Sequence, residues 1–219
     1  MEATAVTTSM NGIAQFIQDG GVFMWVILLI WSIGLAIAIE RFSKLSFKLD
    51  VDGPSFMNEL QRYILSNDIQ GAIRVCSGSV AALPRVLKSG LKRSSQNPAQ
   101  VQNAIDATAL EIIPKVELRL NYLQLIANVS TLLGLLGTIQ GLIQSFAAVA
   151  SADPSQKQEL LALGIAKAMN TTFLGLLSAI SIMLLHGFLS AKSEKIINEI
   201  DEFSVKLMDL LGTKQEKES

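Results

Sequence analysis

The chain has 219 residues, half of them hydrophobic, only 17% charged, with a formal net charge of −1. Soluble domains average about 25% charged residues, so an ordinary water-soluble fold is excluded, and without a basic excess so is a nucleic-acid binder. One cysteine, Cys76, and one histidine, His186, leave no intrachain disulfide, no cysteine-built zinc site and no histidine-pair metal site. The composition points to a membrane protein rather than an enzyme.

Residues 1–20 carry Glu2 and Asp19 but no Lys or Arg. The next stretch, 21–39, is uncharged and as a helix measures about 28 Å, enough to cross a bilayer. A signal peptide needs positive charge ahead of its apolar core; here Glu40-Arg41, Lys44 and Lys48 follow it instead, so an uncleaved helix is expected. Residues 125–150 are uncharged and 160–191 are interrupted only by Lys167, which gives two further spans joined by the short loop 151–159. Lys and Arg set the orientation: none in 1–20, eleven in 40–120, one in 151–159 and five after Ala191. The N-terminus is expected on the periplasmic side, with 40–124 and 192–219 in the cytoplasm.

The 40–124 region reads as short helices. Asp52-Gly53-Pro54 opens one that includes Phe56, Leu60, Tyr63 and Ile64. Asn67 with Gln70 resembles a capping box, and Ser77-Gly78-Ser79 separates the next helix from Leu83–Leu87. Cys76 falls on an apolar face, as a buried structural thiol would. Asn97 with Pro98 starts a pattern that continues to Ala150, about 75 Å of helix with a kink expected at Pro114. After Ala191, Ile196, Ile200, Phe203, Leu207 and Leu211 recur at helical spacing. The apolar stripes of these two extensions are expected to pack on one another. The fold class is all-α: a three-span inner-membrane protein whose long helices extend into a cytoplasmic helical body, with a charged, frayed tail at 213–219.

Within the second span Thr131, Gly134, Thr138, Gly141 and Ser145 share one helix face, and Gly164, Ala168, Thr171 with Thr172, Gly175 and Ser178 or Ala179 line a comparable face of the third. Two readings stand: close helix packing through small residues, including the Gly137–Gly141 GxxxG, or a polar lining. Thr138 lies twelve residues before Ala150 and Thr172 twelve after Leu160, so both hydroxyls sit about 18 Å below the outer helix ends, level with each other near mid-bilayer. The three spans contain no Asp or Glu, and a proton relay needs an ionisable group; any such carboxylate must come from a partner. His186 falls at the cytoplasmic interface. Lys167, about 10 Å into the third span, is either a snorkelling rim anchor or a contact for a partner's carboxylate. Trp25 and Trp31 read as interface and packing residues.

Gly134-Leu135-Leu136-Gly137-Thr138 resembles the second-helix motif of the MotA/TolQ/ExbB family, and Gly164-Ile165-Ala166-Lys167-Ala168 with Thr172 and Gly175-Leu176 resembles its third-helix motif. Weaker likeness runs through Asn67-Asp68, Ala72 and Leu83–Leu91, so the resemblance covers about residues 20 to 210. Three spans favour the ExbB/TolQ branch over four-span flagellar stators.

The resemblance implies a homopentamer enclosing two copies of an ExbD/TolR-like single-span subunit whose membrane helix carries an aspartate. Thr138 and Thr172 carry over as the polar ring met by that aspartate, and Gly134, Gly141, Ser145, Ala168, Gly175 and Lys167 are expected to contact the partner helix. Ion flow would then drive mechanical work on the envelope, through a TonB-like protein for example, with no bound cofactor. Two positions depart from the pattern. Lys167 replaces a glutamate of ExbB-like members, and Thr171 beside Thr172 resembles the Thr-Thr pair of sodium-driven stators. Sodium held transiently at Thr138, Thr171 and Thr172 therefore stands beside protons as the transported ion. The alternative function is a non-conducting oligomeric scaffold for a single-span partner.

Overall fold

The computed structural model describes residues 17 and 20–218, with side chains to residue 213. Expectations for the segment carrying Glu2 and Asp19, and for the tail side chains beyond Thr213, lie outside the described residues. Every element described is helical: α1 Val22–Lys44, continued by a π-helical turn at Leu45–Leu49, α2 Gly53–Leu65, α3 Ile69–Ser77, α4 Ala82–Leu91, α5 Pro98–Glu117, α6 Leu120–Ser151 and α7 Lys157–Glu218. Among the described residues three stretches are long and apolar enough to cross a membrane, within Val22–Leu65, Pro98–Ser151 and Lys157–Thr213. The chain divides into two compact units, one comprising residues up to Ala38 with Asn121–His186, the other Ile39–Leu120 with Gly187–Ser219.

In the first unit α6 and α7 form an antiparallel hairpin and α1 lies against both. Met24 and Ile27 of α1 are buried with Leu174 of α7 and against Leu133 of α6. At Gly34 a side chain would meet Ile182 Cδ1 at 2.8 Å and Ile126 Cγ2 at 3.0 Å, so glycine lets α1 approach both helices. Trp31 Nε1 donates to Ser181 Oγ at 2.8 Å. A buried indole N–H needs such a partner, and nothing in the sequence pattern names Ser181 as that partner.

The second unit is built on one apolar core. Leu60 and Ile64 of α2, Leu83 and Leu87 of α4, Ile105 and Ile112 of α5, and Ile196, Phe203 and Leu207 of α7 are buried in it. Each fully buried aliphatic side chain contributes about 1.5–3 kcal/mol. The stripes of α5 and α7 share this core, but α4 stands between them at Gly90, where a Cβ would meet Ile105 Cγ1 at 2.8 Å and Leu207 Cδ2 at 3.3 Å. Cys76 is buried in the same core, and burial pushes its thiol up to about 12.

Two local expectations need correction. The cap of α3 is Asp68, one residue later than the Asn67 motif suggested: Asp68 Oδ1 accepts from the Gly71 N–H at 2.7 Å, while Asn67 takes φ +61° to turn the chain out of α2. Asparagine tolerates that left-handed region better than most residues. The long helix over 97–150 is also two helices. Pro114 lies inside α5, and the break comes after Glu117, where Leu118 is extended and Arg119 has φ +64°.

Arg41 explains how that break is sustained. It is buried, and its Nη2 donates to the carbonyls of Lys115 at 2.9 Å and Val116 at 2.6 Å. These carbonyls belong to the last turn of α5, where no helical N–H follows to satisfy them. Arg119 Nη1 in turn donates to Glu40 Oε2 at 2.5 Å, and Lys44 Nζ holds Glu40 Oε1 at 2.6 Å. The bond from Lys44, then the charges of Arg119 and Lys44, lower the Glu40 carboxyl below its ordinary value against some desolvation. The residues read as a stop-transfer flank are therefore also the cap of a helix some seventy-five positions away.

Candidate functional site

α6 and α7 meet through small residues. A Cβ on Gly175 would stand 2.7 Å from the Gly134 Cα and 2.8 Å from the Ser130 carbonyl oxygen, so the two backbones are in contact there. Gly141 faces Ala168 at 2.7 Å on the same construction, and Gly164 faces Ser145. Gly134, Ser145, Ala168 and Gly175 are buried in this seam. The face assigned to a partner helix is, for these residues, occupied by the packing of α6 and α7 on each other within the chain.

The close approach brings Thr138 and Thr172 together. Their hydroxyls are hydrogen-bonded to each other, and both also reach the carbonyl oxygen of Gly134, Thr172 Oγ1 at 2.9 Å and Thr138 Oγ1 at 3.2 Å. Three contacts are served by two hydroxyl protons, so one contact is always short of a donor. Since hydroxyl protons rotate freely, the cluster has alternative proton arrangements without moving a heavy atom. Neither hydroxyl titrates near neutrality, so the pair can donate to a carboxylate or accept from a protonated one, but cannot itself carry charge.

Thr171 does not join them. It is buried, its hydroxyl donates to the Gly20 carbonyl at 3.3 Å, and its side chain lies over Gly137. Adjacent residues on a helix point about 100° apart, so Thr172 faces α6 while Thr171 faces the start of α1. The oxygen trio proposed for sodium is therefore split between two places.

Depth also changes. Gly20 pairs with Thr171 and Trp31 with Ser181, so α1 and α7 run parallel with Gly20 level with Thr171. Gly20 directly precedes the uncharged run that starts at Gly21. Counted from the ends of α6 and α7 the threonines lie midway; along α1 they lie level with the start of its uncharged run. The hairpin rises beyond that level by the residues from Leu160 to Thr171, about 16 Å. Helix length alone gave the first answer, and only the register between helices gives the second.

Lys167 is exposed one turn beyond Thr171, with Gln140 and Gln144 of α6 nearby around a small cavity. His186 is half-buried further along α7, away from the threonines. Trp25 is 61% exposed, as an interfacial residue would be.

Residues 79–202 match the MotA/TolQ/ExbB proton channel family, more than half of the chain. An ExbB homolog of Methanothermobacter thermautotrophicus is 25% identical over 190 residues, covering 86% of this chain and 67% of that protein. The Tol-Pal system protein TolQ of Haemophilus influenzae is 35% identical over 96 residues, 42% of either chain; the chain thus spans less than half the length of that relative. The fold matches a solved structure of C. jejuni MotAB with TM-score 0.64 and 12% identity, over 97% of this chain and 86% of that one. The matched region contains the whole threonine seam, and on these grounds the chain belongs to the MotA/TolQ/ExbB family, in its ExbB/TolQ branch.

Proposed function

We propose that this chain is the channel-forming, stator-type subunit of an ion-driven motor in the bacterial inner membrane, and that it has no enzymatic activity. The observation that carries this reading is the Thr138–Thr172–Gly134 cluster, set within spans that contain no carboxylate. Such a cluster handles an ion only together with an ionisable group from elsewhere. A single-span partner of the ExbD/TolR type, with an aspartate in its membrane helix, supplies that group. Five copies of this chain enclose two copies of the partner. The N-terminus is periplasmic and the C-terminus cytoplasmic, as the Lys and Arg distribution favours. One charge falling through 100 mV releases about 2.3 kcal/mol, which the assembly converts into mechanical work on an envelope protein such as a TonB-like one.

The transported ion is the proton. Sodium needs several converging oxygen ligands, and Thr171, the residue that suggested it, is bonded to Gly20 instead. Replacing sodium with potassium should leave coupled activity unchanged while an uncoupler abolishes it; sodium dependence would reverse this assignment.

The first experiment is co-expression with a single-span partner and native mass spectrometry from mild detergent. Five copies retained with two of the partner support the motor. A homo-oligomer that never holds a partner favours the non-conducting scaffold, in which the threonines only pack helices.

A further inference from the structure

The first turn of α1 lies beside the seam of α6 and α7. There a cavity of about 100 Å³ is lined by Lys167, Gln140, Gln144, Thr171, Gly20 and Val22, among others. This is several times what one water needs, room for a group of several heavy atoms. Among the described residues its wall carries one cation, two carboxamides and no acid. Among the described residues, Lys167, Gln140 and Gln144 have no hydrogen-bond or ion-pair partner. In bulk water that would be ordinary. At the level of Gly20, beside the start of the uncharged run of α1, an exposed cation lies where lipid headgroups carry their phosphates.

A second observation points to the kind of partner. Val22, which lines the cavity, is 78% exposed, and Trp25 and Leu29 are each 61% exposed. Spaced three and seven residues after Val22, they share its face of α1 and form an apolar strip running from the cavity into the span. A tryptophan one turn inside the boundary is typical of the membrane interface. A polar, cationic head of the site above and an apolar strip beneath match the two parts of a phospholipid. A free phosphate ion or a carboxylate on a partner helix would use the first part and leave the second without an occupant.

We propose that the cavity beside Lys167 holds the phosphodiester of a phospholipid from the leaflet in which α1 begins, with one acyl chain along Val22, Trp25 and Leu29. Lys167 donates to the phosphate oxygens, and the Gln140 and Gln144 carboxamides complete its hydrogen bonding. The site stands independently of the motor reading; only the naming of that leaflet as the outer one rests on the orientation proposed above.

The test is native mass spectrometry of the full chain in mild detergent, titrated with phosphatidylglycerol, with phosphatidylcholine or with inorganic phosphate. An anionic headgroup next to a lysine gains about five- to tenfold in affinity. The wild-type chain should therefore retain phosphatidylglycerol more tightly than phosphatidylcholine by that factor, and Lys167→Met should remove the preference. Lys167→Arg should keep it, which separates loss of charge from loss of fold. Trp25→Ala should weaken retention of both lipids. Unchanged retention in Lys167→Met overturns the proposal, as does displacement of lipid by millimolar inorganic phosphate. Loss of a co-purified protein from Lys167→Met with lipid retention unchanged assigns the lysine to a partner carboxylate and also overturns it. Asp19 precedes Gly20 by one position; if Asp19→Asn destabilises the chain as much as Lys167→Met and the double variant no more than either, the lysine's counter-ion is Asp19 and the lipid site falls.

Discussion

The guanidinium of Arg41 donates to the main-chain carbonyl of Val116 at 2.6 Å, across seventy-five positions of sequence. A charged side chain at the end of α1 thereby satisfies the last turn of α5, and the chain can leave that helix at Leu118 and Arg119 before α6 begins. Burial lowers the Arg41 guanidinium from its ordinary value, while the Glu40 carboxylate opposes that shift; the group nevertheless stays protonated at any physiological pH.

Removing that donor should destabilise the junction. Arg41→Leu leaves two carbonyls of α5 without a partner in a buried place, a cost of about 2–3 kcal/mol. The expected result is a lower melting temperature in detergent. Arg41→Lys should recover part of the loss, since an ammonium carries donors but not the planar fork of guanidinium. A melting temperature unchanged in Arg41→Leu would mean that water caps the helix equally well.

The Glu40 carboxyl has a pH signature. Its folded-state value lies below the ordinary one, so the folded state binds this proton less readily than the unfolded state does. The resulting stability is present above the unfolded value, near 4.5, and is lost as pH falls through the folded value. Melting temperature should therefore decline in the acid range, and Glu40→Gln should flatten that part of the profile. Salt should weaken the effect because the group is solvent-screened.

The seam between α6 and α7 should resist even one methyl group. Gly175→Ala places a carbon against the Gly134 backbone and the Ser130 carbonyl, neither of which is a flexible side-chain end. Overpacking of this kind costs about 1–3 kcal/mol. Gly187 is the internal control, because a Cβ there meets nothing within 4 Å. Gly187→Ala should be neutral or stabilising by up to about 1 kcal/mol through helix propensity. Thermal unfolding of the two variants side by side decides the matter.

The threonine pair separates packing from ion handling. Thr172→Val with Thr138→Val keeps shape but deletes both hydroxyls, at a stability cost of about 1 kcal/mol for each lost bond. The complex should assemble and lose coupled activity. Thr171→Val breaks only the bond to Gly20 and should leave coupling largely intact. Equal loss of activity in Thr171→Val would place the pathway along the α1 side instead.

Cys76 offers a folding probe. With a thiol pushed up to about 12, only about one molecule in ten thousand is thiolate at pH 8, and the sulfur is buried. Maleimide labelling should be negligible in the folded protein and rapid in denaturant. Fast labelling without denaturant would show that the second unit opens locally.

The pattern of apolar runs, the turn residues and the glycine spacing were sufficient to read three spans, helices opening at Gly53 and Pro98 and one over Leu83–Leu87, and the level match between Thr138 and Thr172. The last follows from counting along two helices from a common loop, which requires no tertiary information. The same counting contains no reference to α1, so it left the register of the threonines against that helix open, and it carried one helix through Leu118, because the donor that caps α5 comes from Arg41.

What the sequence by itself determined is therefore what a helix makes local: length, the spacing of faces, charge and the absence of a carboxylate in the spans. Only the tertiary structure decided how each helix is rotated about its axis and shifted along it. Those two degrees of freedom turned Thr171 to Gly20 and Thr172 to Gly134, buried the small residues in an intrachain seam, and set Lys167 beside a cavity at the start of α1. Helical periodicity leaves rotation and shift undetermined; contacts between residues far apart in sequence fix them.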